Sequence, residues 1–207
     1  MTTDSAKPAL DALVDDIWSA ILERDPYMAS ASGRKVLRFG RGDLAEAEAI
    51  AAAARLRRDQ LDRIDLPGLD RTDRLTAIFI RHWLETEIDE PQRWWTGFGI
   101  APYSGFWLSL IPRMVFAQID LTDPAEAARY LRLASEFAEA IDGMRERVLA
   151  QAERGWRLPR PALHNARKTL EGNASIAVST VLLADDRPAD AATRTAVARI
   201  VEAKLKP

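Results

Sequence analysis

Residues 123–172 read DPAEAARYLRLASEFAEAIDGMRERVLAQAERGWRLPRPALHNARKTLEG, and this stretch decides the fold. Asp123 at the cap, Pro124 at the first helical position and Glu126 form a capping-box-like helix start. Tyr130, Ala134, Phe137, Ile141, Met144 and Val148 then alternate in threes and fours, giving one seam for a neighbouring helix. Gly155 stands where a left-handed residue ends such a helix. Leu158-Pro159-Arg160-Pro161 turns the chain, and a second helix is expected from near Pro161 to about Leu183.

The same punctuation extends outward. Leu10, Leu13, Val14, Ile17 and Ile21 predict a first helix that ends before Asp25-Pro26. Residues 25–42 read as a connector, broken by Gly33, Gly40 and Gly42. Asp43 opens a second helix with Ala47, Ala51, Ala54 and Leu61 inward, stopping before Pro67-Gly68. A third starts at Asp70 or Thr72, takes Leu75, Ile78, Phe79 and His82 as its inward line, and ends near Glu90-Pro91. Trp94 to Gly105 is aromatic and glycine-rich and reads as an ordered loop. Phe106 to Gln118 is a short apolar helix, bent or broken at Pro112, and a last helix covers roughly Ala189 to Lys204. No stretch alternates as a strand does, so the expected fold is all-α, an antiparallel array of about seven helices. It forms one domain, with blocks 1–92 and 105–207 joined by the loop 93–104.

Composition narrows the function. Twenty-nine basic residues against 31 acidic ones leave a net charge of −2, which gives nucleic acid no field to follow. With no cysteine, disulfides, thiolate zinc sites and cysteine nucleophiles are excluded. The polar start and the lack of a run near 20 apolar residues point away from a signal peptide or a membrane span and make the cytoplasm the expected location.

Few residues invite chemistry. His82 and Glu85 lie three apart on one helix face, a metal-compatible spacing, but a zinc site needs three protein ligands and His82 reads as a core histidine. His164, Asn165 and Arg167 stand near a helix start, where free amides favour an anion such as a substrate carboxylate; the plainer reading is that they cap the helix. Trp94, Trp95, Phe98, Tyr103, Phe106 and Trp107, with Ser104 among them, concentrate aromatics that suit a pocket wall, core filling or a covered interface. Arg34, Lys35, Arg38 and Arg41 read as a solvated basic face, and Glu85, Glu87, Asp89, Glu90, Asp185 and Asp186 as solvating acids. No catalytic or metal-binding residue is assigned.

The Asp25-Pro26 connector, Tyr-Ser-Gly-Phe-Trp at 103–107, Ala152-Glu153-Arg154-Gly155-Trp156-Arg157-Leu158-Pro159 and Leu163-His164-Asn165-Ala166-Arg167-Lys168-Thr169-Leu170-Glu171-Gly172 together resemble a known pattern. It is that of the N-terminal half of a family of long, all-helical bacterial proteins catalogued as a domain of unknown function. Members are regarded as zinc peptidases through a C-terminal His-Glu-Ser-x-Pro-Gly-His signature, which these 207 residues do not contain. The resemblance implies a channel between two helical halves, with zinc and the general base supplied by the second. This chain would then be a wall and lid, not catalytic by itself. Trp94, Trp95, Tyr103, Ser104, His164, Asn165 and Arg167 are its expected contacts to a small peptide-like substrate. Zinc belongs to the full-length protein, and the expected partner is the C-terminal half or another protein held through the aromatic loop. The alternative is a shortened family member acting as a stand-alone binding or oligomerisation module.

Overall fold

The structure is a computed structural model that describes residues 6–105, 107–183 and 187–205. Phe106, Asp185 and Asp186 lie outside the described residues. Every regular element among the described residues is helical, so the fold is all-α. The elements are α1 (Ala6–Arg24), α2 (Pro26–Ala31), α3 (Leu44–Leu61), α4 (Arg71–Ile88), α5 (Glu90–Thr96), α6 (Trp107–Phe116), α7 (Pro124–Glu153), α8 (Arg160–Val181) and α9 (Ala191–Ile200). They fall into two compact units, one of Met1–Ile21 with Asp43–Thr96, the other of Leu22–Gly42 with Gly97–Pro207.

Aspartates punctuate the chain. The carboxylates of Asp25, Asp43, Asp70, Asp123 and Asp190 each accept a hydrogen bond from a backbone N–H of the helix that follows. Each satisfies an amide that the helix itself leaves without a partner. At Asp123 the acceptor serves Ala125 N, while Glu126 turns away to Arg129 and Lys35, so the expected capping box is not completed.

In the first unit, Leu10, Leu13 and Ile17 of α1 pack with Ala54 and Leu61 of α3 and with Ala77, Ile80 and Leu84 of α4. The alanines of α3 leave room for close helix approach, and α4 turns its own small residue, Ala77, inward. This reverses the expected face. Leu75, Ile78 and Phe79 are exposed, and so is His82, which is therefore no core histidine. Glu87, expected in solvent, is buried and accepts a 2.8 Å hydrogen bond from Trp83 Nε1. α5 is a second correction: Trp94 and Trp95 belong to a helix opened by Glu90-Pro91, and the loop begins only at Gly97. α4 ends at Ile88, close to where the sequence placed its end, and the proline then opens a further helix.

In the second unit, Phe39, Phe116, Tyr130 and Phe137 form the aromatic centre, with ring centroids 4.9–6.3 Å apart. Such spacings fit tilted and offset aromatic pairs. α6 runs through Pro112 as one element and packs on α8, where Ser109 Oγ donates to Asn173 Oδ1 at 2.7 Å. The expected connector contains α2, opened by Asp25-Pro26. Beyond it the extended segment 34–39 lies along α7 and is held by side chains. Arg129 donates to the Val36 carbonyl at 2.9 Å, Arg132 to that of Leu37 at 2.7 Å, and Glu136 accepts from Phe39 N at 2.9 Å. Those bonds replace the sheet or helix partners the segment lacks.

Candidate functional site

The seam of α7 is buried at Tyr130, Ala134 and Phe137 and comes to the surface toward its end, where Val148 is 39% exposed. It runs into a groove of about 530 Å³ within the second unit. One side is the last turns of α7, with Val148, Gln151 and Ala152. The second is α8, with Leu163, Ala166 and Leu170 at the spacing of one helix face. The Phe98-Gly99-Ile100 stretch and the joint residues Trp156 and Leu158 complete it.

Sequence locally dictates each wall. Gly155, at φ +83°, ends α7 with a reversal that an L side chain resists. Pro159 and Pro161 then bring the chain back as α8. The loop is tied down from both helices. Gln151, buried at 2% exposure, donates from Nε2 to the Gly97 carbonyl at 2.9 Å, and Arg147 donates to the same oxygen at 3.0 Å. Thr169 Oγ1 donates to the Pro102 carbonyl at 3.3 Å, and Ser104 Oγ to that of Gly99 at 3.3 Å.

Three guanidinium groups stand on this apolar surface. Arg157 donates to the Ala152 carbonyl at 3.3 Å, and Arg167 pairs with Glu171 at 2.7 Å, a hydrogen bond that raises its pKa further. The Arg160 guanidinium makes no hydrogen bond or ion pair among the described residues. The helix it opens has Pro159 at its cap and no side-chain cap bond, so an anion is favoured at this end. An apolar trough with a cationic rim suits an apolar ligand that ends in a carboxylate.

Of the residues expected at a site, Arg167 lines this groove. His164 and Asn165 lie inside α8, exposed, and cap nothing, because the helix begins four residues before His164. Ser104 is half-buried in the loop, whereas Tyr103 is 96% exposed. Trp94 and Trp95 belong to the first unit, in edge-to-face contact at 4.6 Å, with Trp94 only 6% exposed. Sequence reasoning passed over Trp156, Leu158 and Leu163, although the Leu163, Ala166, Leu170 periodicity marks them as one apolar face with the joint before it.

Residues 26–207 match the family described as bacterial protein of unknown function (DUF885). The chain belongs to that family. No curated protein and no solved structure matches it. The DUF885 match takes in every residue of the groove. Among the described residues no group of three or more His, Cys, Asp or Glu side chains is placed to hold a metal ion. No helix among the described residues is long and apolar enough to cross a membrane.

Proposed function

We propose that this DUF885 chain is the substrate-binding wall of a zinc-dependent peptidase-like hydrolase and that it contributes no catalytic group itself. The observation that carries the reading is the groove between α7, α8 and the loop that follows Gly97. Its apolar floor accepts the side chains of a short peptide, and Arg160, with Arg157 and Arg167 nearby, receives the peptide's terminal carboxylate. Binding energy gained here, away from the reacting bond, holds the substrate in place for chemistry done elsewhere. In this reading zinc and the general base come from a catalytic half outside residues 1–207, and the protein works in the cytoplasm.

The test is made on the native gene product from its own bacterial cell. Intact mass, zinc content and hydrolysis of short apolar peptides are measured together. A zinc-containing species well above 23.1 kDa that cleaves such peptides is the expected result. A product of 23.1 kDa without zinc or activity sinks the hydrolase reading and leaves a stand-alone binding module. A larger, active zinc protein whose KM is unchanged by Arg160→Glu would instead remove the groove from substrate binding.

A further inference from the structure

α4 carries two apolar lines, and its own unit uses one of them. Ala77, Ile80 and Leu84 are buried in the core. On the other side Leu75, Ile78 and Phe79 are 57%, 63% and 66% exposed, and exposed His82 continues the line one heptad after Leu75. Large apolar side chains at these spacings form a continuous ridge along the helix.

Charges bracket the ridge in a definite order. Arg71 and Arg74 stand at its N-terminal end, Glu85 and Asp89 at its C-terminal end, all exposed and on the same side of the helix by its 3.6-residue repeat. The side chains of Arg71, Glu85 and Asp89 make no hydrogen bond or ion pair among the described residues. Arg74 is partly engaged, donating to the Leu69 carbonyl at 2.6 Å.

This order is self-complementary. A two-fold axis perpendicular to the helix and passing near Phe79 runs α4 antiparallel to the same helix of another copy, which makes the contact isologous. Ile78 and Phe79 then meet their counterparts, Leu75 lies beside the other His82, Arg74 faces Glu85 and Arg71 faces Asp89. A parallel arrangement sets arginine on arginine and carboxylate on carboxylate, so the charges select one orientation. The net charge of −2 puts little long-range repulsion between two copies. We infer that the Leu75–Ile78–Phe79 ridge of α4 is a homodimer interface whose occupant is the same ridge of a second copy of this chain.

The 207-residue chain is followed by sedimentation equilibrium up to concentrations on the order of 100 µM, which detects micromolar association. The expected species is a reversible dimer at twice 23.1 kDa. Phe79→Glu, at an exposed position, is expected to leave a folded monomer with unchanged helical circular dichroism. Arg71→Asp creates two like-charge contacts per dimer and is expected to weaken association about tenfold. Adding Asp89→Arg to that variant restores it to near the native value. A monomer at every concentration, or a dimer indifferent to Phe79→Glu, overturns the inference. So does a charge swap that fails to rescue, or a ridge that binds only a different protein.

Discussion

Gln151 reaches from the interior of α7 to the carbonyl of Gly97 and fixes the point where the groove-lining loop leaves its unit's surface. The bond is made by a side chain 2% exposed, so water competes little for it. Gln151→Met keeps the volume and removes the donor, while Arg147 still serves the same oxygen. The expected cost is about 1–2 kcal/mol in urea unfolding. Protease nicking within residues 97–105 is expected to rise with it, and an unchanged nicking rate would show that the bond does not restrain the loop.

Tyr130 is buried, and its hydroxyl donates to the Val181 carbonyl at 2.7 Å, joining α7 to the end of α8. Tyr130→Phe is expected to cost about 1 kcal/mol, read from chemical denaturation. Desolvation pushes the phenol's pKa up to about 12 from 10.0, against a smaller opposing pull from Arg187, whose guanidinium sits 5.3 Å from the ring centroid. The folded state therefore holds this proton where the unfolded chain releases it. Its contribution to stability is complete below pH 10.0 and is lost as pH rises toward about 12. In Tyr130→Phe that part of the alkaline loss should vanish.

Glu126 behaves in the opposite sense. Hydrogen bonds first from Arg129 and then from Lys35 hold its carboxyl at about 2, below the ordinary 4.5. Its stabilising effect is present above pH 4.5 and disappears as pH falls toward about 2. The protection factor of the 34–39 amides, their exchange divided by the chemical rate at each pH, is expected to fall as pH is lowered between those limits. Glu126→Gln should give a low protection factor throughout, with a flatter pH profile.

Two glycines near the groove should respond unequally to alanine. Gly155 has φ +83°, so Gly155→Ala puts a β-carbon into left-handed backbone at a cost of about 1–2 kcal/mol. At Gly99 the added carbon would meet Met144 Cε at 3.2 Å, the movable tip of a flexible side chain. Gly99→Ala is expected to stay within about 0.5 kcal/mol of the parent. Thermal melts of the pair decide the matter, and equal shifts would contradict this ranking.

Leu163 is half exposed on the groove wall, so Leu163→Asp should fold normally. By placing a carboxylate beside the cationic rim it is expected to weaken binding of a fluorescent apolar peptide about tenfold in anisotropy titrations. Equal affinity for the two proteins would move the ligand elsewhere.

Most of the architecture was legible because helix starts are local chemistry. Asp43, Asp70 and Asp123, with Gly155 as a stop, are signals a single sequence displays openly. The same Asp-Pro signal at Asp25-Pro26 opened a helix too short to be recognised by periodicity, and Glu90-Pro91 marks the end of α4 as expected but also opens α5, which one proline cannot announce by itself. The face of α4 was not local information at all. Two lines compete on that helix, and the one with the larger side chains lost to Ala77, Ile80 and Leu84, which the neighbouring α1 and α3 accommodate. The groove was half visible for a related reason. Arg167 stood out by charge, whereas Leu163 and Val148 acquire meaning only once the turn at Gly155 sets α8 against α7.

That turn has one more consequence. The groove is walled on one side by the carbonyl end of a 30-residue helix and on the other by the amide end of a 22-residue helix. Each end acts as about half an elementary charge, negative for the first and positive for the second. A molecule lying in the trough thus meets a built-in polarity, and a peptide, with an amine at one terminus and a carboxylate at the other, is an arrow. For the peptide substrate proposed above, this polarity across the trough would favour one orientation over the reverse.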